Sequence, residues 1–511
     1  MLSHKRDVLT VVGLATCIKV LLVWAYRSTD FEVHRNWLAI TYSLPIREWY
    51  TEDRSQWTLD YPPLFAWVEW LLSQVAVLVD PEMVKVENQS YASDRCILFQ
   101  RFSVMFTDCM LIYAAVVWHG ILYSRTRDLP VLFQPLVLVG LILNPGLLIV
   151  DHIHFQYNGI LTGIMLLAMA RVYEGSVWWG ALWFSILLNM KHIYVYIAAP
   201  FFVYLLSSYV LEKSISLSHR MCRLANLTTV VFAVFFASFA PFAYYGQLKH
   251  VVSRLFPLKR GLVHAYWAPN TWALYAGADK VFETIISRLG ENVTRSSLTS
   301  GLVQDARFAI FSDIPAALTI VAAALLMLPS LIILFRQPSP TGFLHSVVYC
   351  GLASFLVGFH VHEKAILIPI LGLLPLAIIN RQLAGVYLLL SAVGHFSLFP
   401  LIFTREETFV KVVLVVFYGI YMTYALGRNH RYQYLSRWGR LYLIGLVPLC
   451  AYTEFLWHIL TPKLPFLPLM AISTYCALGV HACLLRTLVV TFDDIKDIRG
   501  PRVHDLNKKV Q

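Results

Sequence analysis

Val8-Leu9-Thr10-Val11-Val12-Gly13-Leu14-Ala15-Thr16-Cys17-Ile18-Lys19-Val20-Leu21-Leu22-Val23-Trp24-Ala25-Tyr26 is followed at once by Arg27-Ser28-Thr29-Asp30-Phe31-Glu32-Val33-His34-Arg35. The apolar run is almost twenty residues long and follows Lys5 and Arg6. A cleaved signal peptide has a shorter core that ends in small residues, so this run reads as a retained first membrane helix with a cytosolic start. The cluster after it holds two acids, a histidine and two arginines at the bilayer edge. Acids next to lipid are costly unless they are used, so the junction points to chemistry at the membrane surface on a lipid-borne substrate.

The rest of the chain repeats this alternation. Apolar stretches lie at 8–26, 98–123, 130–149, 157–172, 175–190, 192–211, 225–244, 313–335, 343–359, 364–381, 383–402, 408–427, 437–457 and 466–488. The 511 residues are 58% hydrophobic and 14% charged, against about 25% charged in a soluble protein. The expected fold is an all-α polytopic membrane protein with about 12–14 transmembrane helices, treated as one domain over 1–511. The stretch 64–79 is apolar but short and holds Glu69, Ser73 and Gln74, which predicts an amphipathic helix lying on the membrane. With 64–79 not crossing, Arg125, Arg127, Lys213, Arg220, Arg223, Arg336, Arg428, Arg431, Arg437 and Arg440 fall on the cytosolic side. The polar motifs then share the opposite side: a first loop over 27–97, the segment after Asp151, Lys191-His192, a long loop over 245–312 and the segment from His360. The tail 489–511 is cytosolic and ends Lys508-Lys509-Val510-Gln511, similar to a dilysine retrieval address. The net charge of +11 sits in short loops, not in a stripe of basic and stacking aromatic residues, so no nucleic-acid partner is expected. The eight cysteines show no paired loop spacing and signal neither a disulfide framework nor a zinc site. Asn88-Gln89-Ser90 and Asn292-Val293-Thr294 are sequons on the non-cytosolic side.

Five motifs carry possible chemistry. Thr29-Asp30-Phe31-Glu32 reads as a capping box that starts a surface helix, with Asp30 either a first-turn acid or a general base for a sugar hydroxyl. Leu59-Asp60-Tyr61-Pro62-Pro63 is a rigid turn in which Asp60 either caps the next helix or holds substrate beside Asp30. Asp151-His152-Ile153-His154-Phe155-Gln156-Tyr157-Asn158-Gly159 is unusually polar for a link between two spans. Its His-x-His is compatible with a metal as the minority reading; hydrogen bonds from Asp151, His152, His154, Gln156 and Asn158 to sugar or phosphate explain it better, and a polar hairpin satisfying its own backbone is the alternative. Arg254, Lys259 and Arg260 suit a phosphate, and Tyr266, Trp267 and Trp272, near Asn270, suit sugar faces or an interfacial belt. His360-Val361-His362-Glu363-Lys364 opens a span with a charge density that lipid does not tolerate unpaired. A transporter or lipid scramblase is the competing class, but it would place ionisable residues at mid-membrane and repeat its halves.

Together Asp30-Phe31-Glu32-x-x-Arg35-x-Trp37, Leu44-Pro45-x-x-x-Trp49-Tyr50, Leu59-Asp60-Tyr61-Pro62-Pro63, the Asp151 to Asn158 motif, Arg254-Leu255-Phe256-Pro257 and the His360 to Lys364 motif resemble, in order, the dolichyl-phosphate-glucose glucosyltransferases of the endoplasmic reticulum. The resemblance implies a C-type glycosyltransferase architecture in the endoplasmic-reticulum membrane, with a luminal site and no cofactor. It implies a dolichyl-phosphate-glucose donor and a lipid-linked oligosaccharide acceptor, with Asp30 as the base and Asp60 positioning the acceptor. It also makes Arg35, Tyr266, Trp267, Asn270, His360 and Glu363 candidate substrate contacts, and Lys364, His362, Arg254 and Arg260 candidates for the donor phosphate. His264 to Asn270, and Ile153 in the Asp151 motif, look most like the branch that adds a second glucose by α-1,3 linkage. The branch that adds the first glucose is the alternative.

Overall fold

The computed structural model describes residues 2–256, 261–264, 267–290, 296, 308–431 and 435–499. Among these residues every regular element is helical. Each apolar stretch coincides with a helix, and ten of the helices are long and apolar enough to cross a membrane. The others fall short for local reasons. Leu2–Leu21 carries Lys5, Arg6, Asp7 and Lys19 and ends before the predicted Tyr26, while Asn158–Tyr173, Val177–Met190 and Leu367–Ile379 are shorter.

The helices Asn158–Tyr173, Pro340–Val357, Leu367–Ile379 and Arg381–Phe396 form the buried centre, with nearly all their side chains enclosed. Gly163 shows how closely they approach: a Cβ there would stand 2.6 Å from the Leu111 backbone nitrogen on the Cys109–Thr126 helix. By contrast, Leu217–Tyr244, Ala316–Arg336 and Arg437–Leu460 turn most of their apolar side chains outward, among them Phe232, Ile320 and Val447. Such broad apolar surface is at home in hydrocarbon, so these helices form a lipid-facing rim.

The helix Pro63–Val79 forms where the sequence predicts it, but its faces are inverted. Glu69 and Ser73 are buried, and Leu71, Val75 and Leu78 are exposed. A charged residue that a surface helix would give to water is instead spent inside the protein. Glu69 Oε1 pairs with His34 Nδ1 at 2.7 Å and so ties Pro63–Val79 to the helix Thr29–Ser43. Trp37, Tyr61, Phe65, Phe155 and Tyr157 enclose the His34 ring with edge-on contacts. This seam fixes the first loop against the membrane helices and sets the depth of residue 30.

Gly163→Ala forces backbone apart and is expected to destabilise the protein by about 1–3 kcal/mol. Gly120→Ala, on the opposing helix with nothing within 4 Å of its Cβ position, should be neutral or stabilising by about 0.5–1 kcal/mol. Melting temperatures of the two variants in detergent give the ranking, and the reverse order would refute the close contact.

Candidate active site

The site begins with the cap of the Thr29–Ser43 helix. Ser28, not Thr29, is the N-cap, and its hydroxyl accepts from the Asp30 N–H at 3.1 Å. The predicted capping box does not form: the third residue after Ser28 is Phe31, and Glu32 is taken by Arg35 in two hydrogen bonds of 2.9 and 2.7 Å. Ser28 also donates from its backbone nitrogen and its hydroxyl to the His154 carbonyl, at 3.0 and 2.6 Å. The start of the first loop is thus fastened to the Asp151 motif.

That motif is not a hairpin link. Leu148–Phe155 is a wide π-helical turn that extends the preceding span, and Phe155 closes it at φ +91°. A π-turn in a membrane helix commonly marks a functional site, since it frees backbone carbonyls for other partners. Arg101 collects them: its guanidinium donates to the carbonyls of His152 (2.9 Å), Ile153 (3.0 Å), Tyr26 (2.9 Å) and Ala25 (3.3 Å). A positive φ at a non-glycine residue costs on the order of 1–3 kcal/mol and persists only when its surroundings over-determine it. The Arg101 grip and the enclosed Phe155 ring supply that constraint.

On this frame Asp30 meets residues from two distant segments. Its Oδ2 accepts from Gln156 Nε2 at 2.6 Å and from Lys364 Nζ at 2.7 Å, with His154 Nδ1 at 3.5 Å. Its Oδ1 has no hydrogen-bond partner among the described residues, and the side chain keeps 22% exposure. One carboxylate oxygen is thus locked and the other is open. Burial alone would raise the Asp30 carboxyl, but Lys364, by charge and hydrogen bond, together with His154 and His362 outweighs it and holds the group well below the usual carboxylate range. Asn158 donates to Gln156 Oε1 and to Asp151 Oδ1, both at 2.8 Å, and accepts from Lys191 Nζ at 3.2 Å. Burial and the neighbouring Lys364 push the Lys191 ammonium down to about 8, against the opposing pull of Asp151, Asp30 and Asp60. Two cations and an open carboxylate oxygen therefore share one partly enclosed polar space.

The remaining predicted residues divide between this space and the scaffold. Asp60 lies within the field of Lys191, and the helix after it is capped by Pro62 without a side-chain bond, so Asp60 is not its cap. Asp151 is buried and accepts from the Gly159 N–H at 2.6 Å, fastening the start of Asn158–Tyr173. His152 turns away from Asp30 to pair with Asp108 at 2.8 Å, so the His-x-His does not converge on one ion. Arg35 is fully buried between Glu32 and the carbonyls of Met83 and Lys85, which makes it a strut and not a substrate contact. Asn270 is the N-cap of Thr271–Arg288 and reaches the Phe355 carbonyl, again a structural duty. Trp267 is 1% exposed among Ala273 and Ala276, so no sugar can stack on it. Arg254 turns to the Glu52 carbonyl at 3.5 Å. His360 Nδ1 contacts the Gly261 carbonyl at 2.6 Å and pins that strand of loop. Lys259, Arg260, Tyr266, Asn292 and Lys508-Lys509 lie outside the described residues.

Glu363 is enclosed by His362 Nδ1 at 3.1 Å and His264 Nδ1 at 3.5 Å. Among the described residues these three are the group whose ligand atoms converge closely enough to hold a metal ion. His362 Nδ1 hydrogen-bonds one Glu363 oxygen, and His264 Nδ1 stands against the other at ion-pair distance.

The sequence profile of the ALG6, ALG8 glycosyltransferase family matches residues 15–487. The chain belongs to this family. It is 44% identical to the dolichyl pyrophosphate Glc1Man9GlcNAc2 alpha-1,3-glucosyltransferase of Bos taurus, with 94% of each chain covered. The probable enzyme of the same name from Drosophila melanogaster is 46% identical over 92% of this chain and 91% of its own. The one from Arabidopsis thaliana is 40% identical over 94% and 96%.

For a member of the ALG6, ALG8 family, four positioning side chains escaped the sequence reading: Lys19, Ser28, Arg101 and Asp108. Lys19 pairs with Asp108 at 2.7 Å, on the same Oδ2 that His152 binds, behind the π-turn. Each of Lys19, Arg101 and Asp108 sits inside an apolar stretch, and a charge in that setting is itself a signal. Arg101→Met should strip the π-turn carbonyls of their donor, lower stability by about 1–3 kcal/mol and reduce kcat by about 10²-fold through displacement of Gln156. Melting in detergent and glycosyl-transfer kinetics measure both, and an unchanged kcat would remove Arg101 from the positioning of the site.

Proposed function

We propose that the protein transfers glucose from dolichyl-phosphate-glucose to Glc1Man9GlcNAc2 diphosphodolichol in α-1,3 linkage, on the luminal face of the endoplasmic-reticulum membrane. The observation that carries this reading is the Asp30 carboxylate, with Oδ1 open and two lysines in the same polar space, in a chain whose relatives bear the name of that activity. A β-linked donor and an α-linked product require inversion at the anomeric carbon. A single displacement achieves this with one base. Asp30 Oδ1 takes the proton of the acceptor hydroxyl, and the oxygen attacks the anomeric carbon. The bond to phosphate breaks with its electron pair, and dolichyl phosphate departs as an anion. Lys364 and Lys191 neutralise that anion, which takes the place of a general acid. His362, whose side chain is 39% exposed beside Glu363, lines the approach to the same space.

Purified protein given dolichyl-phosphate-glucose and the lipid-linked Glc1Man9GlcNAc2 acceptor should form the diglucosylated product. Asp30→Asn should reduce the rate by at least about 10²-fold while the melting temperature is kept. Undiminished transfer would reject Asp30 as base, and transfer only to the non-glucosylated acceptor would assign the first glucose instead. Lys191 carries its charge below about pH 8 and loses it above. At low donor concentration the rate should therefore fall as pH rises through about 8, and Lys191→Met should lose that alkaline limb. An identical limb in the variant would exclude Lys191 from donor binding.

A further inference from the structure

The arrangement around Asp30 is poorly suited to proton abstraction as it stands. Lys364 Nζ and Gln156 Nε2 both bind Oδ2, and a carboxylate so paired has little affinity for a proton. Protonating it would also strand the Lys364 ammonium, whose side chain is only 8% exposed, without its counter-ion. Among the described residues Asp30 is the carboxylate that Lys364 pairs with. The adjacent Glu363 faces His362 at 3.1 Å and His264 at 3.5 Å instead. Lys364 has a flexible stem and a compact charge, so it can change partner without moving the backbone turn Glu363–Ile366. The second cation, Lys191, is anchored to Asn158 within the same field.

We propose that Lys364 masks the base Asp30 in the empty enzyme and is drawn off it by the phosphate of the incoming donor, so that Asp30 becomes competent only when donor is bound. The proposal rests on the glucosyl-transfer reading above. The donor phosphodiester carries one negative charge and competes with Asp30 for the ammonium. As the bond from the anomeric carbon to phosphate breaks, the departing phosphate monoester gains a second charge and holds Lys364 more firmly. The same movement leaves Asp30 without its cation as its Oδ1 receives the acceptor proton. The lysine thus strengthens the base and stabilises the leaving group in one displacement, and both effects grow towards the transition state.

Binding of dolichyl phosphate, which carries the phosphate without the sugar, tests the mask directly. Affinities are measured in detergent for the full-length wild type, Asp30→Asn, Lys364→Met and the double variant, with Asp30→Ala as a second removal of the acid. Both Asp30 variants should bind dolichyl phosphate about fivefold or more tightly than wild type, the lower bound of typical site-to-site coupling. The gain should vanish in the Lys364→Met background. Unchanged or weaker binding by the Asp30 variants overturns the mask, and so does an equal gain with and without Lys364, which would mean simple loss of a repelling anion. If Asp30→Asn abolishes transfer while its dolichyl phosphate affinity equals that of wild type, the base stands and the mask falls. If Asp30→Asn transfers glucose normally, the base assignment itself has failed.

Discussion

One buried guanidinium holds the active-site region together. Arg101 donates to carbonyls on two chain segments, the turn that follows the first helix and the π-turn before Gln156, and brings them within hydrogen-bonding distance of each other. A cation at membrane depth without an acid partner is costly. Here four carbonyl oxygens and the Phe155 ring repay the cost, two of those carbonyls, of His152 and Ile153, coming from the last residues of the π-turn and two from the turn after the first helix. The cation and the irregular backbone each need the other. Remove either, and Ser28 loses its hold on His154 and Asp30 loses its fixed distance from Gln156.

Behind this clamp lies a second charged layer, Lys19 with Asp108 and His152. It binds the first helix to the break between Asp94–Thr107 and Cys109–Thr126, and its acid lies against Gly159, where any Cβ would collide with Asp108 Oδ1. The polar residues of the Asp151 motif therefore face two ways. His154, Gln156 and Asn158 line the Asp30 space, while His152 and Asp151 secure the backbone that presents them. Alternation along a short motif has separated chemistry from support.

The scaffold has absorbed several residues that local sequence alone could not sort from functional ones. Arg35 lies in the same motif as Asp30 but on another side of its helix, where Glu32, two carbonyls and Asn36 Oδ1 take up its donors. Asn270 and Trp267 stand in the sequence as candidate substrate contacts, yet one caps a helix and the other fills the small core beside it. A polar or aromatic side chain in a loop has the same composition whether it meets substrate or backbone. Only its partners distinguish the two.

The sequence by itself determined the helical membrane class, because the lengths of apolar runs report directly on the bilayer, and it singled out Asp30, the Asp151 motif and the His360 to Lys364 motif, because charge beside lipid is expensive. It also led to the family, since six motifs in order are far more specific than any one. Tertiary structure alone decided that Lys364 reaches Asp30 across 334 residues, that Glu69 points inward to His34, and that Arg101 is the clamp. Periodicity and capping rules describe neighbours three or four residues apart and the choice between lipid and water. The partner of a buried charge depends on which helices face each other, and that is settled by packing of the whole chain.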